Sequence, residues 1–135
     1  MAKKLSCLLV DDDEDDREIF IIALNDLEST IDCELACDGM DALEKLRSSS
    51  NLPDFIFIDL NMPRMNGKEC ISEIKKDSRL LSIPVIIYST SSSPRDQQDA
   101  RRLGAAYFFT KPPSISALSN ALRDIFVGAA ALQPG

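Results

Sequence analysis

The chain has 135 residues, a length typical of one domain that can bury enough apolar surface to fold without a disulfide or a structural metal. Fifteen Lys and Arg against 22 Asp and Glu give a net charge of −7, which argues against nucleic acid or a membrane surface as the main partner. The chain has no His, which excludes any site that needs an imidazole as base or metal ligand.

The cysteines and the apolar runs indicate the compartment. Four cysteines occur, at Cys7, Cys33, Cys37 and Cys70, and their spacing matches no zinc-binding pattern. Most of them lie in apolar runs, so we expect four buried thiols, kept reduced in the cytoplasm. The longest apolar run, Ile19 to Leu24, is too short to cross a bilayer, and the first apolar stretch ends in acidic residues that no signal peptide tolerates.

Five apolar runs predict strands, at 5–10, 31–36, 55–58, 84–88 and 105–109. Three of them are nearly continuous and rich in β-branched or aromatic residues, which is typical of strands covered on both faces. The run 31–36 alternates more, which suits a strand nearer an edge of the sheet.

Helical patterns follow the strands, over about 14–27 and 40–48 and from Gly67, Ser93 and Ser114. The fourth helix begins with a cap at Ser93 and a proline at its first position. Apolar residues recur at helical spacing in the other four: Phe20, Ala23, Leu24 and Leu27; Met40, Leu43 and Leu46; Cys70, Ile71 and Ile74; Ile115, Leu118, Leu122 and Ile125.

The alternation of strands and helices predicts an α/β fold, a doubly wound and mostly parallel five-stranded sheet with helices on both faces. We assign residues 1–128 to this domain and expect 129–135 to form a flexible C-terminal tail.

Polar residues directly follow four of the strands, namely Asp11, Asp12 and Asp13, then Asp59, then Ser89 and Thr90, then Thr110 and Lys111. Each has a simple structural explanation; an acidic first helical turn, for example, is favoured by the helix dipole. Together, however, they fall at the edge where ligands bind in open α/β sheets. Close carboxylates need a cation, and oxygen ligands without His or thiolate favour Mg²⁺. A carboxylate between Mg²⁺ and Lys is suited to accept a phosphoryl group, because both cations neutralise the phosphoryl oxygens.

Four segments have the order and spacing of one known family: LLVDDD (8–13), FIFIDLNMPRMNG (55–67), PVIIYST (84–90) and GAAYFFTKPP (104–113). Over residues 5 to about 126 the chain resembles the receiver domain of two-component response regulators. The resemblance implies a flavodoxin-like three-layer sandwich with strand order 2-1-3-4-5.

The resemblance also implies a set of site residues. Asp59 is the expected phosphoacceptor, and Lys111 is the expected lysine that binds the phosphoryl group. Mg²⁺ is expected on Asp11, Asp12, Asp59 and the backbone carbonyl of Asn61; no other cofactor is expected. Three aspartates follow the first strand, so the acidic pair could also be read one residue later, although counting from the strand favours the first two.

Two residues are expected to transmit the change. Ser89 resembles the family's switch hydroxyl, although the adjacent Thr90 is an alternative. Phe108, three residues before the lysine, resembles the aromatic switch. The bond between Lys111 and Pro112 is expected to be cis by the same resemblance.

The resemblance implies a stand-alone signalling protein rather than an enzyme. Its expected phosphodonor is a histidine kinase or a histidine phosphotransfer protein. Its expected output is a face made by the fourth helix, fifth strand and fifth helix, which binds a target protein or a second copy of the chain. Side chains at Asn61 and Ser91 are expected to tune hydrolysis of the phosphoryl group.

Three other interpretations fit the residues less well. A degenerate receiver would act as a phosphorylation-independent binding module, but the Asp, Ser and Lys set is complete. A flavin-binding protein of the same fold would need a phosphate-binding loop after the first strand, where this chain is acidic. A haloacid-dehalogenase-like phosphatase would need Asp-x-Asp at the nucleophile, where this chain has Asn61 as the second residue.

Overall fold

The computed structural model describes residues 5–27, 31–62, 65–90 and 93–132. These residues form five strands and five helices in strict alternation, as predicted. The elements are β1 (Ser6–Val10), α1 (Glu14–Asn25), β2 (Asp32–Ala36), α2 (Gly39–Ser48), β3 (Phe55–Ile58), α3 (Gly67–Lys76), β4 (Val85–Ser89), α4 (Pro94–Leu103), β5 (Tyr107–Thr110) and α5 (Ile115–Leu132).

The strands form one parallel sheet in the order β2-β1-β3-β4-β5, which confirms the predicted fold and strand order. The alternating run does lie at an edge, as β2. The register brings the strand ends level, because Val10 lies opposite both Ala36 of β2 and Ile58 of β3. At the other side of the sheet, Ser89 lies opposite Thr110. The residues that follow these strands therefore meet at one edge.

Two apolar layers cover the sheet, because successive strand residues point to opposite faces. One layer joins Leu8, Val10, Ile56, Ile58, Val85 and Ile87 to apolar residues of α2, α3 and α4. The other joins Cys7, Leu9, Phe55, Phe57, Ile86 and Tyr88 to those of α1 and α5. All residues of β3 and β4 are buried, which explains why their sequences are continuous rather than alternating.

Phe20 of α1 is the centre of an aromatic cluster in the second layer. It is fully buried and meets Phe57 and Tyr88 edge-on, with ring centroids 5.1 and 5.7 Å away. Tyr88 in turn contacts Phe109 of β5 at 5.1 Å. The cluster fixes α1 against β3 and β4, next to the edge where the polar residues gather.

Two residues of the predicted apolar stripes are exposed rather than part of the core. Met40 is 50% exposed, because the buried face of α2 runs through Ala42, Leu43 and Leu46 instead. Ile115 is 39% exposed because it lies at the first residue of α5, beyond the sheet.

The expectation of four buried thiols is wrong, because only Cys7 and Cys70 are buried. Cys33 is half-buried because it lies on an edge strand, and Cys37 is exposed in the turn that follows that strand.

The helix ends follow their sequence signals. The Ser93 hydroxyl accepts a hydrogen bond from the Asp96 amide, so α4 has the predicted cap with Pro94 in its first turn. Ser114 caps α5 by accepting from the Ala117 amide at 3.1 Å. The helix α5 continues to Leu132, past the domain boundary drawn at 128, and the flexibility of the tail stays a prediction.

The prediction of a cis bond between Lys111 and Pro112 is wrong, because no peptide bond in the described ranges is cis. The trans form is the lower in free energy for most bonds that precede proline.

No helix among the described residues combines the length and apolarity needed to cross a membrane.

Replacing Phe20 with Ala should lower the free energy of unfolding by about 3–5 kcal/mol, because the cavity would lie between α1 and the sheet. Ile22→Ala is the matched control on the same helix. That side chain is 52% exposed, so its loss should cost less than about 1 kcal/mol. Urea denaturation followed by circular dichroism measures both. Equal losses in the two variants would contradict the packing described here.

Candidate functional site

Three ionised side chains are positioned by backbone hydrogen bonds that continue the sheet by one residue. The Asp11 amide donates to the Ala36 carbonyl at 3.0 Å, and the Asp59 amide donates to the Val10 carbonyl at 2.9 Å. The Lys111 amide donates to the carbonyl of Ser89 at 2.8 Å. Each residue therefore belongs to the rigid end of a strand rather than to a free loop, which fixes where its side chain begins.

The Lys111 ammonium lies among three carboxylates. Its Nζ is 2.7 Å from Asp16 Oδ2, 2.9 Å from Asp11 Oδ2 and 3.4 Å from Asp59 Oδ2. The lysine side chain is only 9% exposed, and its Nζ lies 5.1 Å from the centre of the Tyr88 ring. The ring face adds a further favourable contact for the cation.

Both oxygens of the Asp11 carboxylate accept hydrogen bonds. One oxygen accepts from Lys111 and the other accepts from the Asp13 amide at 3.0 Å. Arg17 of α1 donates to the Asp11 backbone carbonyl at 2.7 Å, which ties the start of that helix to the end of β1. Asp59 has a similar arrangement, since its second oxygen accepts from the Asn61 amide at 3.3 Å.

Burial raises the pKa of both Asp11 and Asp59 above the ordinary value, and the Lys111 ammonium offsets only part of that rise. Burial alone would lower the pKa of Lys111, but its carboxylate partners reverse the effect and hold it well above its usual range. The lysine therefore stays charged. Its single positive charge does not fully compensate the carboxylates around it. This imbalance, with several carboxylates around one ammonium, suits a site that takes a further cation.

The described residues contain one group of acidic side chains that could hold a metal ion, formed by Asp11, Asp12 and Asp59. One carboxylate oxygen from each lies within 4.8 Å of the others. A hard divalent ion such as Mg²⁺ fits this set, because every donor is a carboxylate oxygen and Asp12 opens the group to solvent. Asp12 and Asn61 also line a cleft of about 520 Å³, through which a ligand can approach.

Asp13 lies outside this group. Its side chain caps α1 by accepting from the Asp16 amide. The geometry thus favours Asp11 and Asp12 over the later reading of the acidic pair.

Gly67, the first residue of α3, lies directly behind Asp59. A β-carbon at this position would be 2.5 Å from the Asp59 carbonyl oxygen and 2.8 Å from the Leu60 α-carbon. The Gly67 amide also donates to the Leu60 carbonyl at 3.0 Å. The absence of a side chain here allows the chain after β3 to turn back closely beneath the carboxylate.

The expected switch residues lie on the neighbouring strands. Ser89 is fully buried at the end of β4, whereas Thr90 is exposed. Phe108 is half-buried on β5, pairs with Ile87 and packs against the layer under α4. Ser91, expected to affect hydrolysis, lies outside the described residues.

Sequence reasoning missed four contributors to the site, namely Asp16, Arg17, Gly67 and Tyr88. Asp16 looked like one more acid in a first helical turn, and its distance of 95 positions from Lys111 hides the contact. Gly67 carried a signal, since it is the last residue of the segment 55–67 that resembles the receiver family. Nothing local distinguishes Tyr88 from the other buried strand residues.

Comparisons with known proteins agree with this geometry. The family model for the response regulator receiver domain matches residues 7–123. The probable methanogenesis regulatory protein FilR2 of Methanothrix harundinacea is 32% identical over 122 residues, which cover 87% of this chain and 79% of the relative.

Solved structures of similar fold include two response regulators. The phosphorylated cyanobacterial phytochrome response regulator RcpA superposes with a TM-score of 0.83 and 30% identity, covering 91% of both chains. The Mn²⁺-bound response regulator Rcp1 superposes with a TM-score of 0.79 and 27% identity, covering 90% of this chain and 91% of the other.

Replacing Gly67 with Ala should destabilise the protein by about 1–3 kcal/mol, because the new methyl group can be accommodated only by moving the backbone at Asp59. The displaced carboxylate should also bind Mg²⁺ more weakly. Gly128→Ala is the control, since that position is helical and a β-carbon added there would meet no other part of the protein within 4 Å. Thermal unfolding and Mg²⁺ titration measure both effects. Wild-type behaviour of the Gly67 variant would contradict the close approach described above.

Proposed function

The chain belongs to the family of response regulator receiver domains, and from this premise we propose that Asp59 accepts a phosphoryl group from a phosphohistidine on a partner protein. The observation that carries the proposal is the convergence of Asp59 with the Lys111 ammonium and two further carboxylates at one sheet edge. The chain has no His and so cannot supply the donor itself. A histidine kinase or a histidine phosphotransfer protein fits that role, and we expect the reaction to occur in the cytoplasm.

The transfer is a substitution at phosphorus. A carboxylate oxygen of Asp59 forms the new O–P bond while the P–N bond breaks and its electron pair leaves with the imidazole. Lys111 stabilises the charge on the phosphoryl oxygens, since its ammonium already lies 3.4 Å from the nucleophilic carboxylate. Burial raises the pKa of Asp59, and a nearby cation opposes that rise by stabilising the ionised carboxylate.

We propose that Asp11, Asp12, Asp59 and the backbone carbonyl of Asn61 hold Mg²⁺. The ion would neutralise the repulsion between the carboxylates and the incoming phosphoryl group. The oxygen-only donor set supports this choice, and the relative Rcp1 is known in an Mn²⁺-bound form. The relative RcpA is known in a phosphorylated form, in agreement with the proposed chemistry.

The signal is proposed to leave the site through Ser89. A phosphoryl group on Asp59 would attract the Ser89 hydroxyl by a charge-assisted hydrogen bond. The movement leaves room for Phe108, which is half-buried beside Ile87. The inward turn of this ring would reshape the surface formed by α4, β5 and α5, a population shift driven by a local charge.

Ionic contacts link α4, one element of this surface, to α3, in addition to the packing of Ala100 and Leu103 against the core. Lys68 Nζ lies 3.0 Å from both Asp96 Oδ1 and Asp99 Oδ2, so it links α3 to α4. Such half-exposed pairs contribute little stability, so rearranging them when α4 shifts would cost little free energy. We propose that this surface binds a target protein or a second copy of the chain.

The signal is proposed to end when water attacks the phosphorus. The O–P bond to Asp59 breaks, and inorganic phosphate and the free carboxylate are released. Asn61 lies at the rim of the cleft that leads to the site and can influence where the water binds.

Replacing Asp59 with Asn should abolish phosphorylation by acetyl phosphate in the presence of Mg²⁺, because the amide cannot form the acyl phosphate. Intact-protein mass spectrometry measures the added phosphoryl group. Asp124→Asn, at an exposed position on α5, is the matched control and should be phosphorylated like the wild type. Equal labelling of the Asp59 variant would reject the proposed acceptor and favour a phosphorylation-independent binding module.

Ser89→Ala should still be phosphorylated but should lose the response of α4 and β5, because the methyl group cannot bond the phosphoryl oxygen. Thr90→Ala should retain the response, since Thr90 is exposed. Amide NMR shifts on addition of Mg²⁺ and beryllofluoride, a phosphoryl mimic, measure this difference. Loss of the response in the Thr90 variant alone would assign the switch to the neighbouring hydroxyl.

A further inference from the structure

Lys111 has a carboxylate partner outside the group that could hold a metal ion. Asp16 Oδ2 lies 2.7 Å from Lys111 Nζ, a shorter contact than either Asp11 or Asp59 makes. The metal-binding group consists of Asp11, Asp12 and Asp59 and does not include Asp16. The lysine thus shares two of its partners with the cation site and has one that is not shared.

The two shared partners create a conflict between cations. A divalent ion at the group would draw on the oxygens of Asp11 and Asp59 and would repel the nearby ammonium. If Asp11 and Asp59 were its only partners, the ammonium would either weaken binding of the ion by competing for the same oxygens or move out of the site. Asp16 removes the conflict, because it offers the ammonium a carboxylate that the metal ion does not use.

The position of Asp16 supports this role. Its side chain is 30% exposed, so it lies at the rim of the site, while the lysine it contacts is 9% exposed. Its backbone amide, rather than its carboxylate, is engaged in the cap of α1, by donating to Asp13 Oδ1 at 3.1 Å. The side chain is therefore available to Lys111 alone among the contacts described at this helix end.

We propose that Asp16 is a positioning residue that holds the Lys111 ammonium in the site while Mg²⁺ occupies the neighbouring carboxylates. This inference rests on the proposed function, since it takes the Mg²⁺ site as given. If Asp16 has this role, the acidic first turn of α1 contributes to the site as well as interacting favourably with the helix dipole.

A double-mutant cycle tests the proposal. Mg²⁺ affinity is measured by isothermal titration calorimetry for the wild type, Asp16→Asn, Lys111→Met and the double variant. We expect Asp16→Asn to weaken Mg²⁺ binding by about five-fold or more when Lys111 is present, because the ammonium then competes for Asp11 and Asp59. In the Lys111→Met background the same change should alter the affinity by less than about two-fold, since no ammonium remains to be placed.

Asp15→Asn is the matched control. Asp15 occupies the same helical turn and is exposed, so its variant removes the same charge without removing a contact to the lysine. It should change Mg²⁺ affinity by less than about two-fold, because exposed charges are screened by salt. Asp16→Glu keeps the carboxylate and should recover most of the wild-type affinity.

The outcomes separate this inference from the proposed function. A wild type that binds no Mg²⁺ would remove the premise and reject both. A wild type that binds Mg²⁺ while Asp16→Asn behaves like Asp15→Asn would reject only the role of Asp16. Equal losses from Asp16→Asn in both lysine backgrounds would also reject it, because the effect would then be a simple loss of negative charge.

Discussion

The attraction between one ammonium and three carboxylates determines how the functional edge of this protein is organised. Asp11, Asp16 and Asp59 would repel one another without Lys111, whose Nζ lies within 3.4 Å of all three. The lysine is buried against Tyr88, where low dielectric strengthens both the attraction and the remaining repulsion. Burial still raises the pKa of Asp11 and Asp59, so a further cation near them would stabilise their ionised forms.

The parallel sheet gives this interaction its precision. Residues one position beyond β1, β3 and β5 are held by backbone hydrogen bonds to the neighbouring strands, so their side chains start from fixed points. The aromatic cluster around Phe20 then anchors α1, which delivers Asp16 to the same edge. The site consequently depends on packing in the core as much as on its own ion pairs.

Sequence patterns predicted much of this arrangement because they report on local or repeated constraints. The alternation of strands and helices gave the layers, and polar residues after the strands identified the edge at which Asp59 and Lys111 meet. The errors arose where a pattern lacks information on its surroundings. Met40 fits a helical stripe but faces solvent, and Cys37 follows an apolar run but lies in an exposed turn. The acidic run after β1 contains both Asp13, which caps α1, and the site residues Asp11, Asp12 and Asp16. No local sequence rule distinguishes the capping residue from the site residues.

The sequence by itself determined the fold class, the position of Asp59 directly after the third strand and the sign of the charges at that edge of the sheet, because these follow from periodicity, residue type and order along the chain. Only the tertiary structure decided that Asp16 contacts Lys111, that Gly67 must lie against Asp59, and that Ser89 rather than Thr90 is buried. These facts depend on distances between residues far apart in the chain. Such distances are set by how the helices and strands pack, and packing is a property of the whole molecule.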